Sequence, residues 1–296
     1  MRIPLLGSIV LTLIVANNVH AQKYPIRISS PDRVGEKYSL SVSGSRLQKT
    51  TATQNGRIIR SQSEETKVIF QGRQETLALD GKGQAVRESF TVEKFTRTEG
   101  GVTTTLLKPG SVVLTDGSQE EQFQIVLKEG VMDDFSRAAF SMVLPPHKPG
   151  TLTDDEIYGT KELKGVGDSW PFNRAAVVVD LKGSMVIPSE RMNGMSSIVS
   201  RDTVGGDECL NLVTEVKADG VWLTHGPAGF VPDSGTLRSA FQVCIPTNAA
   251  SLSRKGSAEV SSLFRVKGTP GTPAESITLE TSVSQKNEFV ALPVRP

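Results

Sequence analysis

Clusters of acidic side chains are the first candidates for chemistry in this sequence. They are Asp133-Asp134, Asp154-Asp155-Glu156 and Asp207-Glu208. A glycosidase needs two carboxylates that face each other across a cleft, and a calcium loop needs alternating acids around a glycine. None of the clusters has the calcium pattern, and their positions favour helix starts and solvated turns. The sequence therefore assigns no catalytic, cofactor-binding or metal-binding residue, although a hydrolase whose carboxylates meet only in three dimensions stays open.

The sequence gives little support for a catalytic serine nucleophile. Ser169 lies in a Gly-Asp-Ser-Trp-Pro run that lacks the second glycine of a nucleophile elbow. The sequence contains no His-Glu-x-x-His zinc motif, phosphate loop or dinucleotide glycine fingerprint. His147 and His225 are far apart and lack the spacing of metal ligands. We interpret Ser169 as a turn residue and both histidines as loop or surface residues.

Cys209 and Cys244 are predicted to form one disulfide. Neither belongs to a Cys-x-x-Cys or zinc spacing, and an even pair in a protein outside the cytoplasm is best read as a bridge. Each cysteine is out of step with the large apolar residues around it, so both are expected on the less apolar face of their strands. The residues that would bind a ligand are not assigned.

The two tryptophans are expected to differ in environment. Trp170 follows a predicted tight turn and is interpreted as a core anchor. Trp222 lies between Val221 and Leu223, just after an Asp-Gly turn, and strand alternation would place its ring opposite both neighbours. An exposed aromatic ring could stack on a sugar or line an apolar pocket, and Trp222 is the better candidate for that role.

The first 21 residues have the layout of a cleavable secretory signal. Arg2 precedes an apolar run over residues 3–16, and Val19 and Ala21 suit the positions that a signal peptidase reads. A membrane anchor is the alternative, but a spanning helix needs about 20 apolar residues. We therefore predict cleavage after Ala21 and a secreted or periplasmic location.

The charge balance argues against nucleic acid as a partner. The chain has 33 Lys and Arg residues against 32 Asp and Glu residues, and Arg2 is lost with the predicted signal. A neutral mature chain lacks the overall field that attracts nucleic acid or anionic lipid. The predicted partners are an apolar small molecule or an envelope protein, with no nucleic acid, no cofactor and no membrane span.

Alternation of apolar and polar residues predicts strands along most of the chain. The alternating apolar positions are Tyr38, Leu40 and Val42; Val86, Phe90 and Val92; Phe123, Ile125 and Leu127; Leu210, Leu212 and Val216; and Ile277, Leu279 and Val283. Pairs that tolerate positive φ angles predict tight turns at Asn55-Gly56, Asp80-Gly81, Asp116-Gly117, Asn193-Gly194 and Asp219-Gly220. The predicted fold class is mainly β, with antiparallel sheets and one connecting helix.

That helix is predicted over residues 131–144. Its apolar residues share one helical face: Phe135, Ala138, Ala139, Met142 and Val143. Asp133 and Asp134 suit its start, where the helix dipole favours negative charge, and Thr153 and Glu156 fit a capping box of a second, shorter turn. The predicted organisation is an N-terminal β-rich half over residues 22–130, a helical connector over 131–161 and a C-terminal β-rich half over 162–296.

The two halves share a short pattern. Residues 33–38 and 165–170 each contain Val-Gly, then an acid, a polar residue and an aromatic. Glycine would permit a tight turn into a strand that the aromatic anchors. An internal duplication, with each half forming part of a half-barrel, is therefore one hypothesis for the fold.

A resemblance rests on the Met-Val-Leu-Pro run at residues 142–145 and on Val-Gly-Asp-Ser-Trp at residues 166–170. Together they resemble a pattern in uncharacterised secreted bacterial β-rich proteins with a Val-Gly-Asp-x-Trp motif. The architecture implied is similar to the half-barrel of LolA-type periplasmic lipoprotein carriers, in which a curved antiparallel sheet wraps helices. The resemblance implies architecture alone, since it carries no catalytic residue.

The leading functional hypothesis is a non-catalytic secreted or periplasmic protein that binds an apolar ligand or a partner protein. It depends on the predicted export signal, the half-barrel pattern and the missing catalytic motifs. A curved sheet that wraps a helix can leave an apolar concavity of ligand size. The alternatives are an extracellular hydrolase with an unrecognised carboxylate site and a structural or adhesive envelope protein.

Overall fold

The computed structural model describes residues 22–29, 32–118, 123–248, 251, 253–268 and 276–294. The predicted signal of residues 1–21, with its cleavage site after Ala21, lies outside the described residues and stays a prediction.

The described chain is built mainly of strands. The N-terminal strands are β1 (Lys37–Gln54), β2 (Arg57–Leu79), β3 (Ala85–Glu99), β4 (Val102–Leu107), β5 (Val112–Asp116) and β6 (Gln124–Leu127). Three helices and a 3₁₀ turn follow or interrupt the later strands: α1 (Asp134–Val143), α2 (Asp154–Tyr158), α3 (Arg174–Leu181) and Ser189–Arg191. The C-terminal strands are β7 (Ser169–Trp170), β8 (Met185–Val186), β9 (Met192–Val204), β10 (Asp207–Asp219), β11 (Trp222–Leu223), β12 (Phe230–Pro246), β13 (Arg254–Gly268) and β14 (Ile277–Pro293).

Within the described residues, twelve strands form one antiparallel sheet. Its order is β6-β5-β3-β2-β1-β14-β13-β12-β10-β9-β7, with β4 paired to β3, while β8 and β11 pair separately. Strands β1–β6 form one meander, which we call the N-terminal arm, and β7, β9, β10 and β12–β14 form the C-terminal arm. The arms meet where β1 pairs with β14, from Tyr38 opposite Pro293 to Gln54 opposite Ile277. The prediction of a mainly β, antiparallel fold is confirmed.

One face of this sheet, which we call the inner face, carries the apolar cores of both arms. Cross-strand register links them, because Val42 lies opposite Phe289, and Phe289 lies opposite Gly256, whose neighbour on β12 is Val243. Gly256 is required there, since a Cβ atom would lie 2.6 Å from the Phe289 ring. Phe289 packs against the cores of both arms. We call the opposite surface the outer face.

The core of the N-terminal arm is a cluster of phenylalanine rings beneath α1. Phe140 of the helix contacts Phe70, Phe90 and Phe95 of the sheet edge to face, with centroids 5.3–6.0 Å apart. The ring quadrupoles favour this geometry over face-to-face stacking. Phe70, Phe95 and Phe140 are completely buried, so this part of the inner face is filled by the protein itself.

Helix α1 lies within the predicted segment, but the face predicted to be buried is wrong in part. Asp133 caps the helix by accepting the Ser136 N–H at 2.6 Å. The side chains that pack on the sheet are those of Ser136, Ala139, Phe140 and Val143. Phe135 is 44% exposed, and its ring stacks under the Arg97 guanidinium, 3.8 Å from the ring centroid. The predicted face was rotated by about one residue because Phe140 was left out of it.

Helix α3 was not predicted, because its Val-Val-Val run favours strands in isolation. Asn173 caps it by accepting the Ala176 N–H at 3.2 Å, and Ala176 and Val177 are buried against the C-terminal arm. Capping and packing therefore outweigh the strand preference of the β-branched residues. The predicted capping box of α2 is present, with Thr153 and Glu156 each bonding the other's backbone N–H.

The structure confirms some of the predicted tight turns and contradicts one of them. Asn55 and Gly56 both have positive φ angles in the hairpin between β1 and β2, and Gly220 has a φ of 69° after Asp219. The Asn193-Gly194 turn is wrong, because both residues lie inside β9. Gly194 serves a close approach instead, since a Cβ atom would lie 1.8 Å from the Glu215 carbonyl oxygen.

The short pattern shared by the two halves forms the same turn twice. Gly35 and Gly167 have φ angles of 83° and 92°. Each glycine N–H donates to a neighbouring strand, to the Thr76 and Ile198 carbonyls respectively, both at 2.8 Å. Each acceptor also donates a bond in return. The Thr76 N–H donates to the Glu36 carbonyl at 3.1 Å, and the Ile198 N–H donates to the Asp168 carbonyl at 3.0 Å. Two matched bonds of this kind support the duplication hypothesis, although the predicted boundaries of the halves stay a prediction.

Candidate functional site

The best candidate for a ligand site is an apolar cavity at one end of the C-terminal arm, which we call the Trp222 cavity. It encloses about 310 Å³, a volume at the lower end of the range for small-molecule sites. Its lining residues are Trp222, Leu223, Thr224, Gly226, Phe230, Pro232, Ser234, Phe264, Arg265 and Val266. Most of these side chains are apolar, and two of them are aromatic in addition to Trp222.

The exposure of Trp222 follows from its neighbours in the chain. Gly220 makes the turn after β10, and Val221 is completely buried, with its N–H donating to the Gly235 carbonyl at 3.1 Å. Alternation then turns Trp222 outward, where it is 39% exposed. The prediction of an exposed aromatic at Trp222 is confirmed, although Leu223, expected on the opposite side, is exposed as well.

The floor and wall of the Trp222 cavity come from β12 and β13. Phe264 is buried between the core of the C-terminal arm and the cavity. Phe230 lies opposite Gly268, and a Cβ atom on Gly268 would come within 2.8 Å of the Phe230 ring. The glycine therefore leaves the room that the Phe230 ring occupies at the cavity wall.

A second cavity adjoins the Trp222 cavity along the inner face. It also encloses about 310 Å³ and is lined by Gln48, Thr50, Ala52, Arg60, Gln62, Glu64 and Leu279. Leu279 lies directly opposite Val266 of the Trp222 cavity and opposite Ala52 on β1. The two cavities are therefore neighbours on the inner face, with the Val266–Leu279 pair between them.

A polar groove of about 470 Å³ occupies the outer face. Serine, asparagine and glutamine side chains line much of it, together with Glu288 and with Lys255, which lies 3.9 Å from Asp202. Cys244 lies at its floor, bonded to Cys209 as the cysteine count predicts. The two cysteines are diagonal neighbours on β10 and β12, with Cα atoms 5.4 Å apart. Both lie on the outer face of the sheet, whereas Leu210 and Leu212 lie on the inner face.

The acidic clusters singled out in the sequence have structural partners. Asp133 caps α1, and Asp155 accepts the N–H groups of Ile28 and Ser29 at 2.7 and 3.2 Å. Asp207 accepts the hydroxyls of Ser251 and Ser253 at 2.6 and 3.0 Å. These contacts fix a helix start, the segment at residues 22–29 and the loop beside the disulfide.

Burial nevertheless perturbs several carboxyl groups at the junction of the arms. Burial, the carboxylate of Asp155 and that of Asp180 all raise the pKa of Asp154. Burial also raises the pKa of Asp32, which accepts the Ala85 N–H at 2.9 Å. Asp32 was not predicted as a site residue, and its side chain fixes the start of β3 from the segment before β1.

Glu88 is the titratable residue that sequence reasoning missed. Burial raises its pKa to about 7, an effect that the hydrogen bond from the Gln74 amide opposes. Glu88 stands in step with the apolar positions 86, 90 and 92 of β3, and this charged residue on an apolar face was the signal available in the sequence. Its cross-strand neighbours are the buried Thr76 and Thr115. Hydroxyls rather than a second carboxylate therefore flank it, unlike the paired acids of a glycosidase.

The remaining predicted residues occupy the positions expected of packing and loop groups. Trp170 is buried, and its Nε1–H donates to the Tyr158 carbonyl at 2.8 Å. The Oγ of Ser169 accepts a hydrogen bond from the Ser197 hydroxyl at 3.0 Å. His225 is exposed, and His147 lies in a loop 3.7 Å from Asp80.

In the part of the chain that the structure covers, no group of three or more His, Cys, Asp or Glu side chains is placed to hold a metal ion. Every described helix is too short or too polar to span a bilayer.

Comparison with known proteins identifies no family. No protein-family model and no curated protein matches the sequence. Among solved structures, the outer membrane protein OprG from Pseudomonas aeruginosa is similar at 6% identity and a TM-score of 0.22, over 90% of this chain and 100% of that chain. OccK11 (OpdR) from Pseudomonas aeruginosa is similar at 7% identity and a TM-score of 0.16, again over 90% and 100%. TM-scores this low do not establish a shared fold.

Proposed function

We propose that this protein binds a ligand that carries an apolar hydrocarbon chain. The hydrocarbon chain of the ligand occupies the Trp222 cavity. The observation that carries the proposal is the exposed Trp222 ring, which together with Leu223 and Phe230 lines a recess at the end of the inner face. Exposed apolar side chains grouped around a recess mark binding sites more often than isolated ones do. The adjoining cavity at Leu279 extends the recess and favours an elongated ligand.

Location outside the cytoplasm belongs to the same proposal. The disulfide between Cys209 and Cys244 supports it, because disulfides persist in oxidising compartments, and the leader-like pattern of residues 1–21 agrees. N-terminal sequencing of exported material should begin at Gln22. An exported, soluble product that retains Met1 would contradict the cleavage.

The two tryptophans provide the test of ligand binding. A dibrominated C18 fatty acid quenches the fluorescence of a tryptophan that it touches. We expect saturable quenching of about half of the emission, because Trp222 lines the cavity and Trp170 is buried elsewhere. Trp222→Phe should abolish the quenching, while the unbrominated fatty acid should displace the probe from the unmodified protein.

The control is a Val131→Ser variant, which removes an exposed apolar side chain far from the cavity and should leave quenching unchanged. Quenching that persists in Trp222→Phe would place the probe at Trp170 and contradict the site. If no quenching occurs at all, the structural or adhesive hypothesis replaces the binding hypothesis. Turnover of glycoside or ester substrates that disappears in Glu88→Gln would favour the hydrolase hypothesis.

A further inference from the structure

The end of the sheet next to the Trp222 cavity groups side chains from strands of both arms. Cross-strand register defines this end, which we call the distal end: Phe230 lies opposite Gly268, Gly268 opposite Ile277, Ile277 opposite Gln54 and Gln54 opposite Arg57. Five neighbouring strands therefore finish in one row, roughly 20 Å wide at the usual strand spacing. The β1–β2 hairpin turns at Asn55-Gly56 just beyond this row.

Large apolar side chains at the distal end lie in solvent. Ile58 and Ile59 of the β1–β2 hairpin are 69% and 53% exposed, and Val231 at the start of β12 is 64% exposed. Trp222 and Leu223 flank the same row. Ile58 and Ile59 cannot both face the core, since successive residues point to opposite faces; in addition, a register shift at Ala52/Thr53 leaves Ile59 without a partner on β1.

Two arginines bracket the exposed isoleucines. Arg57 and Arg60 have no ion-pair partner among the described residues, whereas Lys267 and Arg265 nearby are paired with Asp233 and Glu280. Arg60 donates a hydrogen bond to the Gln62 amide oxygen at 3.3 Å, and no described carboxylate forms an ion pair with either guanidinium beside Ile58 and Ile59. The net charge of the whole chain is only +1, so this basic patch is a local feature.

We propose that the distal end docks on an anionic lipid surface, with Ile58 and Ile59 entering the interface and Arg57 and Arg60 meeting lipid phosphates. Apolar side chains beside long cationic ones are the combination that binds the boundary between headgroups and acyl chains. A few cations and a few apolar groups give reversible binding, in keeping with a peripheral protein. This inference rests on the proposed function, because docking here sets the Trp222 cavity against the bilayer from which an apolar ligand would come.

A second copy of the chain is the competing occupant. Residues 57–65 of β2 pair only with β1, since the β2–β3 pairing begins at Thr66 opposite Glu99, and a free strand edge can pair with another chain. Charged and polar residues along that edge, among them Arg60, Gln62, Glu64 and Glu65, disfavour such pairing. The lipid surface accounts for the isoleucines and the arginines together.

Vesicle flotation tests the proposal. The protein without its predicted signal should float with vesicles of phosphatidylcholine and phosphatidylglycerol and bind vesicles of phosphatidylcholine alone more weakly. Ile58→Ser combined with Ile59→Ser should reduce partitioning by about tenfold or more. Val102→Ser is the matched control, because Val102 is 68% exposed on the separate β3–β4 hairpin, and it should bind as the unmodified protein does.

The charge is tested in the same assay. Arg57→Gln should weaken binding to the anionic vesicles by about fivefold, while Arg238→Gln, an exposed arginine in the middle of β12, should not. Unchanged melting temperatures show that the variants fold. Absent flotation, or equal losses in the distal and control variants, would overturn the proposal. A concentration-dependent dimer that Ile58→Ser disrupts, without vesicle binding, would overturn it in favour of strand pairing.

The two proposals fail separately. Quenching by the brominated fatty acid is measured without vesicles, and vesicle binding is measured without the fatty acid. The Ile58→Ser, Ile59→Ser variant should keep full quenching, since neither residue lines the Trp222 cavity.

Discussion

The two arms use the same face of one sheet in different ways. Beneath α1, the N-terminal arm fills its inner face with Phe70, Phe90, Phe95 and Phe140, whose rings interlock edge to face. In the C-terminal arm, α2 and α3 pack against Met192, Val216 and Ala218 at the ends of β9 and β10, and the neighbouring ends of β12 and β13 line the Trp222 cavity. Closed packing of aromatic rings stabilises a fold, whereas aromatic rings around a recess are available to a ligand. We therefore expect the first arm to contribute more to stability, while the proposed ligand site lies in the second.

The largest expected effect comes from opening the closed core. Phe140→Ala should lower the free energy of unfolding by about 3–5 kcal/mol, because it removes a fully buried ring and leaves a cavity among three others. Phe135→Ala on the same helix should cost about 1 kcal/mol or less, since Phe135 is half exposed. Urea denaturation of both variants measures the difference. Equal losses of unfolding free energy in the two variants would show that α1 does not pack on this core through Phe140.

Removing the disulfide tests the C-terminal arm alone. Cys209 and Cys244 are 35 residues apart, and replacing both with alanine should cost about 3–4 kcal/mol through the entropy of the unfolded chain. Because both arms share one sheet, we expect Phe140→Ala and the cysteine variant to shift a single unfolding transition. Two separate calorimetric transitions in the cysteine variant would instead show that the arms unfold independently.

Glu88 should give the N-terminal arm a distinctive pH dependence. Its folded pKa of about 7 lies above the ordinary value of 4.5, so the folded state binds the proton more tightly than the unfolded state. Its contribution is therefore fully present below about pH 4.5 and is lost as the pH rises toward 7. Relative to Glu88→Gln, the unmodified protein should lose about 1–3 kcal/mol across that window. A parallel pH profile for the two proteins would show that Glu88 is not desolvated in solution.

The smallest effects come from the paired turns and test whether the arms are related. Gly35→Ala and Gly167→Ala each force a side chain into a positive φ angle, and no atom lies within 4 Å of either new Cβ. Strain alone should then cost about 1–2 kcal/mol at each site, with nearly equal melting-temperature shifts. Gly183→Ala, at a glycine without positive φ and with equally open space, is the control and should cost little. Clearly unequal shifts at Gly35 and Gly167 would argue that the two turns are not equivalent.

The sequence predicts the features that depend on the pattern of residues close together in the chain. Strand alternation, the Asp133 and Thr153 caps, the Asn55-Gly56 turn and the exposure of Trp222 all follow from neighbouring residues. The disulfide was predicted from the number of cysteines rather than from their geometry. In the structure both cysteines lie on the less apolar face of β10 and β12, as their position relative to the large apolar residues predicts.

Features that depend on distant neighbours were not predicted. Asn193-Gly194 has the composition of a turn, but the Glu215 backbone from the next strand needs the space at Gly194. Phe135 and Phe140 are both aromatic residues of one helix, and the sheet beneath α1 decides which of them is buried. The Trp222 cavity could not be derived from the sequence, because its wall joins residues near position 222 to residues near positions 230 and 264.

The pairing of β1 with β14 also constrains how the chain folds. Nearly the whole described sequence separates these partners, and closing so long a loop carries a large entropic cost before its contacts form. Each meander can form from local hairpins, but the sheet becomes continuous only when the last strand docks against the first. We therefore expect slow folding with a late step at the centre of the sheet, and a transient species whose exposed β1 edge is prone to aggregation.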